Sequence, residues 1–152
     1  MDINPNTVGD TVAEILAERE MTVGTVECGV DGVISHRFFE TELGPDVLGS
    51  SLVTDNLEEA IVLMDLPRPQ FKNKGDFSAK AARAAAREGL GFLGVHLCMV
   101  VWAKSSTLEA SLEHPIHLAV SVSGEVVDQT VRVMSGEHLV EWAFKMMREA
   151  LG

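Results

Sequence analysis

The chain has no tyrosine, only two cysteines and two tryptophans, and aromatic residues make up just 5% of its 152 positions. Without tyrosine there is no phenol to donate or withdraw a proton. Cys28 and Cys98 are too few for a disulfide framework, which suits a reducing compartment and predicts a cytoplasmic location. They also form no C-x-x-C pair, and no ligand pair at close helical spacing supports a soft-metal site of Cys28, Cys98 and His96, so no metal is expected. Cations are scarce as well: 12 Lys and Arg face 23 Asp and Glu, for a formal net charge of −11. Affinity for nucleic acid comes largely from neutralising phosphates with Lys and Arg, so DNA and RNA are excluded as expected partners. No apolar run approaches the roughly 18 residues of a membrane span, so no membrane partner is expected either. The opening "MDINPNTVGD" has neither a basic n-region nor an apolar h-region, and no secretory signal is expected from it.

What is present is a chain with 46% hydrophobic residues, enough for one globular domain with a real core. Residues 1–6 read as a loose arm. Val8, Val12, Ile15 and Leu16 recur at helical spacing behind Thr7 as N-cap. "TVGTVEC" (22–28) reads as a buried strand, 31–42 as a helix and 49–54 as a short strand. Asp55 and Glu58 have capping-box spacing and predict a helix start near 56. Residues 65–76 read as a loop. An Ala-rich helix follows over 78–90, with Ser78 as cap and Gly89 as C-cap. Residues 95–103 are almost continuously apolar, as a strand covered on both faces must be. After a polar loop, residues 116–134 read as a hairpin turning at Gly124. A final helix behind Ser135 carries the stripe Leu139, Val140, Ala143, Phe144, Met147 and Leu151. Five strands with helices before, between and after them predict a three-layer α/β/α domain with a mixed five-stranded sheet.

Strand, glycine turn and helix start meet in "TVECGVDG", a place where α/β proteins hold nucleophiles and phosphates. Cys28 is the candidate thiol nucleophile there, with Glu27 beside it. Gly29, Asp31 and Gly32 form the turn. A helix N-terminus lowers a thiol pKa and offers N–H groups to an oxyanion. It supplies only about half a positive charge, however, and Glu27 and Asp31 each supply a full negative one. A sluggish thiol follows. The plainer readings are Cys28 as a small buried residue, Asp31 as a helix N-cap and Glu27 as a tie across the turn. His96 and Cys98 face one side of a strand, and His114 and His117 flank Pro115 as solvated loop histidines. "GLGFLG" (89–94) matches G-x-G-x-x-G, but it follows a helix and precedes a strand, the reverse of a dinucleotide site. Arg68, Lys72 and Lys74 make a basic strip suited to an anion or to plain solvation. Lys104, Ser105, Ser106 and Thr107 offer one cation and three hydroxyls in a loop without glycine.

The segment "MTVGTVECGVDGVISHRF" resembles the CinA C-terminal domain family, the nicotinamide-nucleotide amidases, whose pattern is roughly T-x-A-T-A-E-S-C-T-G-G-x-x-A. Thr22, Thr25, Glu27, Gly32 and Arg37 match. "VTDNLEEAIVLMDLP" is similar to a second block of that family at Val53, Thr54, Glu58, Leu63 and Pro67. Gly75 and Ser78 fall on its G-x-x-S. The resemblance implies the same fold over about residues 8–151, a tendency to self-associate as a homo-oligomer such as a dimer, and no cofactor. It also aligns the family's serine nucleophile with Cys28, its tyrosine with Asp55, its catalytic lysine with Ala60 and its glycine-rich loop with 102–111. Lys74 falls where the family often has histidine. The expectation is a diverged CinA-like domain with an incomplete amidase site, non-catalytic or binding a small nucleotide-like ligand. Candidate ligand residues are Gly29, Asp31, Gly32, Asp55, Lys74, Lys104, Ser105 and Ser106. The alternatives are an amidohydrolase that uses Cys28 and a structural, oligomer-forming protein.

Overall fold

The computed structural model describes residues 5–71 and 75–152. Helix α1 (Pro5–Glu18) precedes β1 (Val23–Cys28), α2 (Val33–Phe39), the short α3 (Gly44–Val47) and β2 (Leu48–Thr54). Then come α4 (Leu57–Met64), a 3₁₀ turn (Arg68–Phe71) and α5 (Ala79–Leu93). β3 (Leu97–Trp102), a four-residue α6 (Leu108–Ser111), β4 (Ile116–Val122), β5 (Glu125–Val131) and α7 (Gly136–Leu151) complete the chain. The strands lie in the order β2-β1-β3-β4-β5. β1 runs parallel to both β2 and β3, and β4 is antiparallel to β3 and β5. The sheet is therefore mixed, as the sequence predicts.

Alternation along the strands divides the core in two. Val23, Leu97, Met99, Val101, Leu118 and Val120 face one layer, which buries Val12 and Leu16 of α1, Ile34 and Phe38 of α2, and the α7 stripe. Val26, Cys28, Cys98, Val100 and Trp102 face the other, filled by Ala60, Ile61 and Met64 of α4 and the alanines of α5. All six residues of β3 are buried, so the apolar run predicted to be central sits in the middle of the sheet.

The sequence misplaces several caps. α1 already includes Pro5 and Asn6, so the predicted arm is shorter than 1–6 and Thr7 lies inside the helix rather than capping it. α4 is capped by Asn56, whose side chain accepts from the Glu59 N–H at 2.8 Å, while Asp55 stays outside. The N-x-x-E spacing one residue on is the one that forms. Ser78 and Ser135 cap α5 and α7 as predicted. α5 continues past Gly89 to Leu93, and Gly94, at φ 67°, takes the left-handed C-terminal position instead. Gly89 has a different role: a Cβ there would lie 2.4 Å from Cys98 Sγ, so its missing side chain lets the helix approach β3.

Candidate functional site

The turn after β1 is built around a buried carboxylate. Glu27 is fully buried and faces α2. Its Oε1 accepts from the Ile34 N–H at 2.7 Å and its Oε2 from the Ser35 N–H at 3.0 Å. The Thr25 hydroxyl lies 2.8 Å from the same Oε2 and 2.8 Å from Ser51 Oγ. The next two donors of α2 are also engaged: Val33 N–H meets Val30 O at 3.3 Å, and His36 N–H meets Gly32 O at 3.0 Å. An open helix N-terminus binds anions because its first N–H groups lack partners. In α2 those groups are saturated, and the charge opposite the helix dipole comes from the chain itself.

Cys28 is not at that helix end. Adjacent strand residues face opposite sides, so with Glu27 turned to α2 the Cys28 side chain turns to α4 and α5. It is fully buried in the same apolar cluster as Ala60, the position aligned with the family's lysine. Burial is the main cause that pushes the thiol up to about 11; a hydrogen bond with Thr54 pulls the other way, and the carboxylates of Glu27 and Glu59 add to the rise. The expected sluggish thiol is thus present in direction, but desolvation causes it, and Asp31 is not among the contributors.

Asp31 is exposed and does not cap α2. That position belongs to Gly32 at φ 70°, with no side-chain hydrogen bond. Asp31 itself adopts φ 58°, and its carboxylate accepts from the Leu108 N–H at 3.3 Å, so it serves the first turn of α6. The loop over 104–111 closes on the β1–α2 turn. A Cβ on Gly29, at φ 76°, would stand 1.9 Å from the Ser105 carbonyl oxygen, so only glycine fits there. Ser111, fully buried, locks the contact: its hydroxyl lies 2.8 Å from Gly29 O and 3.3 Å from Ser105 O. Lys104, Ser106 and Asp55 are exposed around this closed turn. Of these candidates Gly29 and Ser105 are in direct contact, while Asp31 reaches Leu108 and Gly32 accepts from the His36 N–H. Lys72 and Lys74 lie outside the described residues. Arg68 is paired with Glu58 at 2.5 Å and Asp76 at 3.2 Å, beside a cleft of about 460 Å³ lined by Arg68, Pro69, Phe71, Gly75 and Asp76.

Ser111 escaped the sequence reading, and Thr54 entered it only as a family match, with no role beside Cys28. A lone serine in a polar loop and a threonine at a strand end carry no periodic signal, and only the fold brings them to Cys28 and Gly29. Of the two histidines that flank Pro115, His114 lies in the loop as expected and His117 does not. His117 lies on β4, not in a loop; its Nδ1 is 2.8 Å from Thr130 Oγ1, its ring packs on Phe77 at 4.6 Å, and burial holds its pKa below the usual value. Cys98 is buried and pushed up to about 12 by desolvation. It stands four register steps from Cys28, about 13 Å along the strands. Among the described residues no group of three or more His, Cys, Asp or Glu is placed to hold a metal ion.

This fold, a five-stranded sheet in which only β4 runs against the other strands, recurs in solved structures over nearly the whole chain. A competence or damage-inducible protein from Enterobacter asburiae superposes with a TM-score of 0.83 at 12% identity, covering 99% of this chain and 100% of its own. The chain has the CinA fold. A CinA superfamily protein from Klebsiella pneumoniae matches with a TM-score of 0.82 at 15% identity over 98% of both chains. The competence/damage-inducible protein CihA from Agrobacterium tumefaciens matches with 0.74 at 16% identity, over 99% of this chain and 95% of its own. No family model and no curated protein sequence matches the chain. At these identities the likeness concerns the CinA fold alone. Among the described residues no helix is long and apolar enough to cross a membrane.

Proposed function

We propose that this chain is a non-catalytic CinA-fold protein, in which the place of the family's amidase site has been converted into structure. One observation carries the reading: the buried Glu27 carboxylate occupies the Ile34 and Ser35 N–H groups at the head of α2. An oxyanion or phosphate arriving there finds no free donor and meets a negative charge. The aligned nucleophile weighs the same way, because Cys28 is fully buried and Ala60 stands where a lysine base would be required. General acid–base groups each contribute about 10²–10⁴-fold, so their loss leaves little of such a reaction. Incubating the protein with nicotinamide mononucleotide is expected to release no ammonia above a buffer blank. Turnover that disappears in Cys28→Ala would instead establish the thiol amidohydrolase.

The cleft beside Arg68 favours a second reading, in which the non-catalytic domain binds a small nucleotide-like ligand. Its volume of about 460 Å³ is within the range of small-molecule sites, and Arg68 is a fixed cation on its wall. A phosphate there competes with Glu58 and Asp76 for the guanidinium. Nicotinamide mononucleotide is then expected to raise the melting temperature of the wild type but not of Arg68→Ala. An equal shift in both proteins, or none in either, counts against the cleft.

A further inference from the structure

We infer that the β2 edge of the sheet is a docking site for an extended, basic segment of another protein, which adds to the sheet as a further strand. Thr54 O accepts from the Gly29 N–H at 3.0 Å, which aims Thr54 and, by alternation, Leu52 at β1. Ser51 and Val53 then present their N–H and C=O groups outward. Among the described residues no strand pairs with them, because β2 ends the sheet. Unpaired edges are commonly guarded by charge or proline. The opposite edge strand, β5, carries Glu125 and Asp128, whereas Leu48–Thr54 has no charged residue and no proline. An open row of backbone donors and acceptors is what an extended peptide uses to bind by strand addition.

Side chains on both faces suit such a strand. Val53 is exposed on β2 itself and shares the α2 face of the sheet with its register partner Glu27. On that face the exposed Phe39 of α2 walls a groove of about 480 Å³ with Leu48, Gly49 and Ser51. On the other face α4 touches β2, exposes Val62 and Leu63, and carries Glu58 and Glu59 in its first turn. Side chains alternate along an added strand, so one set enters the groove beside Phe39 and the other turns toward α4. Apolar residues suit the first set. Lys or Arg suits the second, since a long stem covers Val62 or Leu63 while its charge stays at the carboxylates. Exposed apolar residues gathered around an open edge mark an interaction surface.

Charge selects the partner. From Phe38 to Pro67 the sequence holds seven Asp and Glu residues and no Lys, Arg or His. All seven are exposed, and Asp46 and Asp55 stand just before and just after β2. The arginines that border this stretch are already engaged, Arg37 with Glu137 and Arg68 with Glu58 and Asp76. The open edge therefore lies inside an acidic stretch that supplies no cation of its own. A second copy brings the same carboxylates to the edge and is repelled, as is any acidic segment. A segment that alternates basic and apolar residues meets both demands, with main-chain pairing at Ser51 and Val53 and cations over the carboxylates. This inference concerns a protein partner and stands whether or not the domain is catalytic.

The probe is a fluorescein-labelled peptide of about seven residues in which Val and Lys alternate, near the length of an ordinary strand. Titrated with the full chain, its anisotropy is expected to saturate at protein concentrations up to about 100 μM. A peptide alternating Val and Glu is expected not to bind. In an added strand only every second N–H faces β2. Of two further peptides, one N-methylated at the Val positions and one at the Lys positions, one is therefore expected to bind roughly tenfold or more weakly and the other like the parent. Val53→Pro removes an outward N–H at an edge, where proline is tolerated, and is expected to weaken binding roughly fivefold or more with unchanged circular dichroism. Failure to saturate, equal binding of the Val–Glu peptide, methylated peptides that bind alike, or indifference to Val53→Pro would each overturn the inference. So would a chain that sediments as a dimer which Val53→Pro dissociates, since a second copy then holds the edge.

Discussion

Cys28 illustrates how one residue's chemistry is decided by which face of a strand it occupies. Had it pointed to α2, a helix dipole would have stabilised its thiolate. It points instead into apolar packing, and burial pushes its pKa up to about 11. At neutral pH that leaves roughly a hundredfold less thiolate than in an unperturbed thiol. In a Cys98→Ala background, iodoacetamide is expected to leave native Cys28 essentially unmodified at pH 7.5 and to label it rapidly in urea. Asp31→Gly should not change the native rate, since Asp31 is directed at Leu108. Acceleration by that variant would reinstate Asp31 as the controlling charge. The thiols also predict alkaline sensitivity. An unfolded thiol loses its proton near pH 9, while the native ones hold theirs to about 11 and 12. The unfolded state then binds fewer protons, so their contribution is intact below about pH 9 and lost as pH rises toward 11. Each thiol contributes a slope of about 1.4 kcal/mol per pH unit in that window. Urea unfolding at pH 8.5, 9.5 and 10.5 should show the decline, and Cys98→Ala should lessen the slope by about that amount.

Among the elements, the α2 head is the one whose role the sequence conveyed least. Glu27 was visible as a family match and as a candidate tie across the turn. Its partners, Ile34 and Ser35, lie seven and eight residues on and carry no mark of being bonded. Helix and strand periodicity made the core faces legible, because repeating apolar positions report burial directly. Caps were less legible: Asp55 and Asn56 both suit the position before α4, and only backbone geometry chose Asn56. Glu27 can be tested by Glu27→Gln, which preserves shape. Whichever way the amide turns, its NH₂ faces the N–H of Ile34 or Ser35, and one buried donor loses its acceptor. The expected loss is about 2–4 kcal/mol in urea unfolding. A change below about 0.5 kcal/mol, the scale of ordinary surface substitutions, would show that this carboxylate does not hold the turn.

At the scale of the whole molecule, the layer order was readable because the long apolar run of β3 required cover on both faces, and the flanking helices supplied it. The edges were not readable. Nothing in "LGSSLVT" distinguishes an edge strand from an inner one until its neighbours are known. Net charge, in contrast, is fixed by composition and has a global consequence. With 23 acidic against 12 basic residues, compaction gathers like charges that the unfolded chain keeps farther apart. Some are paired locally, as Arg83 with Asp128 at 2.6 Å and Arg37 with Glu137, but the excess of acids has no cations to meet. Exposed ion pairs are worth only about 0–1 kcal/mol each, so screening them costs little. Relief of repulsion should therefore dominate when salt is added. Raising NaCl from about 0.01 M to about 0.1 M shortens the screening length from roughly 30 Å to 10 Å, and the melting temperature is expected to rise. The same rise should appear with KCl, which marks screening rather than a bound ion. A fall in melting temperature across that range would mean that the few ion pairs outweigh the net charge.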